Sequence, residues 1–77
     1  MVDLSQIREH LEVVGSDGEH VGRVDNVVGD QIELAKLDLA AGFKHHLIPV
    51  SWVAHVDQHV HLNVTRYDAR ERWTEKP

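Results

Sequence analysis

No cysteine occurs in the chain. That excludes a disulfide-stapled secreted scaffold and any thiolate metal centre, and it fits a reducing compartment. Long apolar runs are missing as well. None approaches the roughly 20 residues that a membrane-spanning helix needs. The opening Met1-Val2-Asp3-Leu4-Ser5 lacks the basic and apolar blocks of a signal peptide. Basic charge is scarce: 8 Lys and Arg stand against 13 Asp and Glu, a formal charge of −5. Phosphate backbones and anionic lipids recruit clustered Lys and Arg. The expectation is therefore a cytoplasmic protein with no nucleic-acid and no membrane partner. Proline is rare, so Pro49, which sits inside an apolar run, is informative. It cannot donate to a ladder, and its strand must lie at an edge or bend there.

What is present is organised around Val13 to Val28, V-V-G-S-D-G-E-H-V-G-R-V-D-N-V-V. Asp-Gly between β-branched residues marks a hairpin, because Gly accepts the positive φ of a tight turn. With 77 residues the expectation is one domain, 1–77. A barrel is expected at about 10–64 and a C-terminal helix at about 65–74. A chain of this size buries only about 60% of its unfolded surface, so its stability margin is thin.

Further strands follow in order. Asp3 to His10 reads as a short helical turn capped by Asp3 or Ser5, with Leu4, Ile7 and Leu11 on one face. Glu12 to Gly15 is the first strand. His20 to Val28 is the second, with a bulge near Arg23–Asp25 and a turn at Gly29-Asp30. Gln31 to Leu37 alternates as a half-buried antiparallel strand. Asp38 to Gly42 is a loop, with Gly42 at positive φ. His45 to Val53 is the fourth strand and Gln58 to Val64 the fifth. Thr65 with Asp68 three residues on is a variant capping box for a helix reaching Trp73, after which Thr74 to Pro77 is expected to fray. The expected core is Val14, Val21, Val24, Val27, Ile32, Leu34, Ile48, Val60 and Leu62, with Trp52 also inside.

G-S-D-G-E-H-V-G-R-V-D, G-D-Q-I-E-L and H-L-I-P-V-S-W-V, with the closing strand Val60–Leu62, resemble a known family. They are similar to the PRC-barrel superfamily, the small β-barrel of the photosynthetic reaction centre H subunit and of a ribosome maturation factor. The nearest likeness is to a branch of short stand-alone bacterial proteins filed as a domain of unknown function. In that branch the hairpin motif, the paired histidines before I-P and the following S-W-V recur. The likeness runs from about Ile7 to Val64. It implies a mainly β fold, a five-stranded antiparallel barrel. The short N-terminal turn and the short C-terminal helix are read from the residues themselves, and the helix after Thr65 lies outside the barrel pattern. It also implies an adaptor or assembly module rather than an enzyme, with no catalytic residues to carry over.

Seven histidines are the compositional oddity. His59 and His61 stand at i, i+2, on one face of a strand, and His45 and His46 are adjacent. These four are the candidate metal ligands. The competing reading is a solvated polar face opposite Val60 and Leu62, with no cofactor. Ser51 with a histidine and Asp25 or Asp57 makes a hydrolase set only on paper, since Ser51 lacks the G-x-S-x-G elbow. Glycines 15, 18, 22 and 29 form no phosphate loop. Tyr67, Arg70 and Trp73 are the interface candidates, because the terminal helix has few other apolar anchors. The expected function is a non-enzymatic protein-interaction or self-assembly module, and the expected partners are a second copy, in a homodimer, and another protein. The alternative is a histidine-based metal-binding or pH-responsive protein. Unperturbed imidazole titrates near pH 6.5, so protonating all seven rings moves the formal charge from −5 to at most +2.

Overall fold

Turn chemistry and alternation set the first three strands. The computed structural model describes residues 4–35 and 45–75. β1 (Glu12–Val14) and β2 (His20–Val28) flank the expected hairpin, and β3 (Gln31–Leu34) follows the second turn. Gly18 and Gly29 take φ of 79° and 60°, the left-handed backbone that favours glycine. The bulge in β2 is where the sequence places it, between Val24 and Asn26 in the pairing with β3. Residues 20–23 of β2 pair with β1, and 24–28 pair with β3. One long strand therefore serves both halves of the sheet, with the bulge at the handover.

Beyond β3 the architecture departs from the five-stranded barrel. The single strand expected over His45–Val53 is two strands. β4 (His46–Pro49) ends at the proline, a 3-10 turn at Val50–Trp52 redirects the chain, and β5 (Val53–Val56) begins on the far side. Pro49 forces the break because it brings no N–H to continue the ladder. β6 (Val60–Leu62) then closes a hairpin with β5, and the short helix α1 (Arg66–Arg72) follows. Thr74–Glu75, expected to fray, forms β7 and pairs with β4 through His46 and Leu47. Among the described residues the result is a seven-stranded sheet in the order β5-β6-β1-β2-β3-β4-β7. It is not closed there, because the outer strands β5 and β7 do not pair with each other. Neighbours are antiparallel except β1 and β6, which run parallel with Val13 opposite Val60.

Both halves contribute to one core. Ile32, Leu34, Ile48, Val13, Val21, Val24 and Val60 are completely enclosed, each such aliphatic side chain contributing about 1.5–3 kcal/mol by leaving water. Of the expected core, Val27 is only partly buried. Ile7, Val13, Val53 and Ala69 join it without having been expected, and Trp52 is buried as anticipated. The N-terminal segment contributes a 3-10 turn, Leu4–Gln6, which delivers Ile7 to the core. Asp3, the loop Asp38–Gly42 and the end of the strand expected to reach Leu37 lie outside the described residues.

Helix α1 keeps its expected cap: the Asp68 N–H donates to Thr65 Oγ1 at 3.1 Å. Asp68 in the first turn and Arg70 and Arg72 in the last complement the helix dipole. Seven residues are too few to be helical alone, so the packing of Ala69, fully buried, fixes the helix. The approach is tight at Gly15, where a Cβ would lie 2.6 Å from Arg66 N and 2.9 Å from Thr65 C. No helix among the described residues is long and apolar enough to cross a membrane.

Candidate functional site

The order β5-β6-β1-β2 brings histidines from separate parts of the chain into one belt. Glu12, the first residue of β1, lies between two rings. Its Oε2 is 2.7 Å from His20 Nδ1 and its Oε1 is 3.2 Å from His59 Nε2. A carboxylate only accepts, so His20 Nδ1 is the donor in its hydrogen bond to Glu12. His59 meets His61 edge to face at 6.1 Å between centroids, and His61 stacks on His55 at 4.2 Å. His20, Glu12, His59, His61 and His55 thus form a continuous ribbon across four adjacent strands.

Asp57 anchors the outer end of that ribbon. It sits in the turn between β5 and β6, where the His59 N–H donates to its Oδ1 at 2.8 Å. His61 Nε2 is also 2.8 Å from that oxygen, and His55 Nε2 lies 3.9 Å from Oδ2. The His59 backbone hydrogen bond, followed by the His61 side chain, holds the Asp57 carboxyl below its ordinary range; the charges of His61 and His55 add to this. A cleft beside it is lined by Gln6, Arg8, Leu11 and Val56.

The four expected metal ligands do not gather into one set. His61 belongs to the Asp57 cluster, whereas His59 leans toward Glu12. His45 lies on the other half of the sheet, its Nδ1 donating to Leu34 O at 2.9 Å and facing Glu33 and Asp25 at 3.5 and 3.9 Å. His46 is buried and stacks on Trp73 at 3.9 Å. Adjacent histidines therefore have separate surroundings, His46 as the first residue of β4 and His45 just before it.

The interface candidates separate too. Tyr67 is 71% exposed. Trp73 is partly buried against the chain's own core, with the Arg70 guanidinium 6.0 Å from its ring. Ser51 is exposed, and its carbonyl accepts from Asn63 Nδ2 at 3.4 Å.

Sequence reasoning missed Glu12, His20 and His55 as parts of a site, and placed Asp57 only in the paper hydrolase set. A signal was present: His55, Asp57, His59 and His61 recur at a spacing of two.

Comparison with known families supplies what geometry does not. Residues 7–70 match the family model described as "Uncharacterized protein conserved in bacteria (DUF2171)". The chain belongs to this family. The match agrees with the bacterial, unknown-function branch to which the hairpin and I-P-V-S-W-V motifs pointed. It contains the entire histidine belt and ends within α1, before Trp73 and β7. No curated protein matches the chain.

Proposed function

We propose that the chain is a non-enzymatic, PRC-barrel-like interaction module of the bacterial cytoplasm. It self-assembles as a two-fold homodimer through the outer edge of β5. The observation that carries this reading is the position of β5. It is the outermost strand of an open sheet, four residues long, with Ala54 and His55 exposed. An edge of this kind presents unpaired backbone N–H and C=O groups, and a second copy satisfies them by antiparallel pairing about a two-fold axis. The exposed Tyr67 supplies aromatic surface outside the sheet. Trp73 is less available to a partner than its place in the sequence implied, because it stacks on the chain's own His46.

Sedimentation equilibrium at micromolar concentration, in chelator, tests the reading. The expected result is a dimer for the wild type. Ala54→Lys, which sets a charge on the exposed edge, should give a monomer with a nearly unchanged melting temperature. A wild type that is monomeric under these conditions sinks the proposal.

A further inference from the structure

The β5–β6 hairpin carries a feature that needs no second copy. Val53 pairs with Leu62, but the register then slips by one, so that His55 stands opposite His61 and Val56 opposite Val60. Had the register run on without the slip, Ala54 would face His61. A bulge inserts one residue and re-aims the side chains beyond it. Here it lays two imidazole rings face to face, 4.2 Å apart and 10° from parallel. Both present Nε2 to the same carboxylate, at 2.8 Å for His61 and 3.9 Å for His55. One ligand atom from each of His55, Asp57 and His61 lies within 4.8 Å of the other two.

From this register we propose that His55, Asp57 and His61 form a binding site for a divalent transition-metal ion of the zinc class, one ion per chain, with water completing its coordination. Imidazole and carboxylate suit Zn²⁺, Ni²⁺ and Cu²⁺. Bonds of about 2.0–2.2 Å in a tetrahedral set place ligand atoms about 3.4 Å apart. The 2.8 Å contact runs from His61 to Oδ1 and the 3.9 Å contact from His55 to Oδ2. All three donors already lie within 4.8 Å of one another, so modest rotations of these solvent-accessible side chains bring them to that spacing. Three protein ligands with an open fourth position are the pattern of zinc sites that keep a water. The His59 N–H fixes the carboxylate from outside the ligand set, the orienting role that such sites use.

The other mixed cluster, Asp25, Glu33 and His45, is less suited. Its histidine nitrogen already donates to the Leu34 carbonyl at 2.9 Å. The Glu12 pair offers a carboxylate engaged on both oxygens by His20 and His59.

Calorimetric titration of the full chain with zinc chloride at neutral pH decides the matter. The expected result is one Zn²⁺ per chain. The double variant His55→Gln with His61→Gln should weaken binding by at least about tenfold, since even second-shell changes cost about that much. Both positions are solvent-accessible and Gln is polar, so circular dichroism should show the fold retained. His20→Gln and His45→Gln should bind as the wild type does. Titrations at protein concentrations above and below dimer dissociation should give the same one ion per chain, which separates failure of this site from failure of the dimer. The proposal is overturned by a wild type that does not saturate, or by undiminished binding in the double variant. Loss that is as large in His20→Gln or His45→Gln, or loss on monomerisation, overturns it equally.

Discussion

Two stacked ring pairs stand on opposite halves of the sheet, and their surroundings give them different work. On the β4–β7 side, His46 and Trp73 stack at 3.9 Å. His46 is buried, and Trp73 packs on the core. That pair ties the segment after α1 back onto β4 and lets Thr74–Glu75 add a strand. On the β5–β6 side, His55 and His61 stack at 4.2 Å with His55 62% exposed. That pair holds nothing together and faces a carboxylate and solvent. Histidine content alone therefore assigns no role. Burial makes one imidazole a packing group, and exposure beside Asp57 leaves another open to solvent and a carboxylate.

The largest expected effect tests whether the two halves are one cooperative unit. Leu34 on β3 and Leu62 on β6 stand on either side of the β1–β2 pair and share one core cluster. Leu34→Ala and Leu62→Ala should each cost about 2–5 kcal/mol and lower the same single unfolding transition, read by thermal circular dichroism. Two separable transitions, or near-wild-type melting in either variant, would break the picture of a shared core.

A smaller effect sharpens the contrast between the stacks. Trp73→Ala should destabilise by about 1–3 kcal/mol, less than a fully enclosed Trp because the ring is only partly buried. His55→Ala, at an exposed site, should stay within about 0.5 kcal/mol. Chemical denaturation in chelator measures both. Equal losses would erase the distinction.

The smallest effect is electrostatic. The folded Asp57 carboxyl titrates below its ordinary value because the His59 N–H and the His61 ring favour the anion. A depressed folded pKa adds stability that is present above the unfolded value, about 3.9, and is lost as pH falls through the lower folded value. Asp57→Asn in chelator should therefore be slightly less stable than wild type at neutral pH. The gap should close on acidification below about pH 4. The carboxyl is exposed, so the gap is small. A gap that widens on acidification contradicts the assignment.

Much of the β-rich half of this protein was legible in residues close together in sequence. Ser16 to Glu19 and Gly29-Asp30 announced their turns, because positive φ is a local demand that glycine meets. Alternation gave Ile32, Leu34, Val60 and Leu62 their inward face, and Thr65 with Asp68 announced the start of α1. The irregular spacing of Val21, Val24 and Val27 even located the bulge in β2. These signals act over two to four residues, and local backbone chemistry suffices to read them.

The rest depended on which strands meet. Pro49 announced a break, but only the tertiary fold decided that β4 and β5 would part to opposite ends of the sheet and leave it open. Thr74 and Glu75 have no strand signal of their own; they pair because Trp73 docks on His46 beside β4. The belt of Glu12, His20, His59, His61 and His55 depends on the parallel pairing of β1 with β6. It depends equally on a one-residue slip at Ala54. Neither leaves a mark in composition or period, since pairing partners are chosen by where apolar surface can be buried. The sequence by itself determined the turns, the inward faces and the supply of imidazoles and carboxylates. The tertiary structure alone decided which of them share a site, because a single step in register changes the neighbour across a strand.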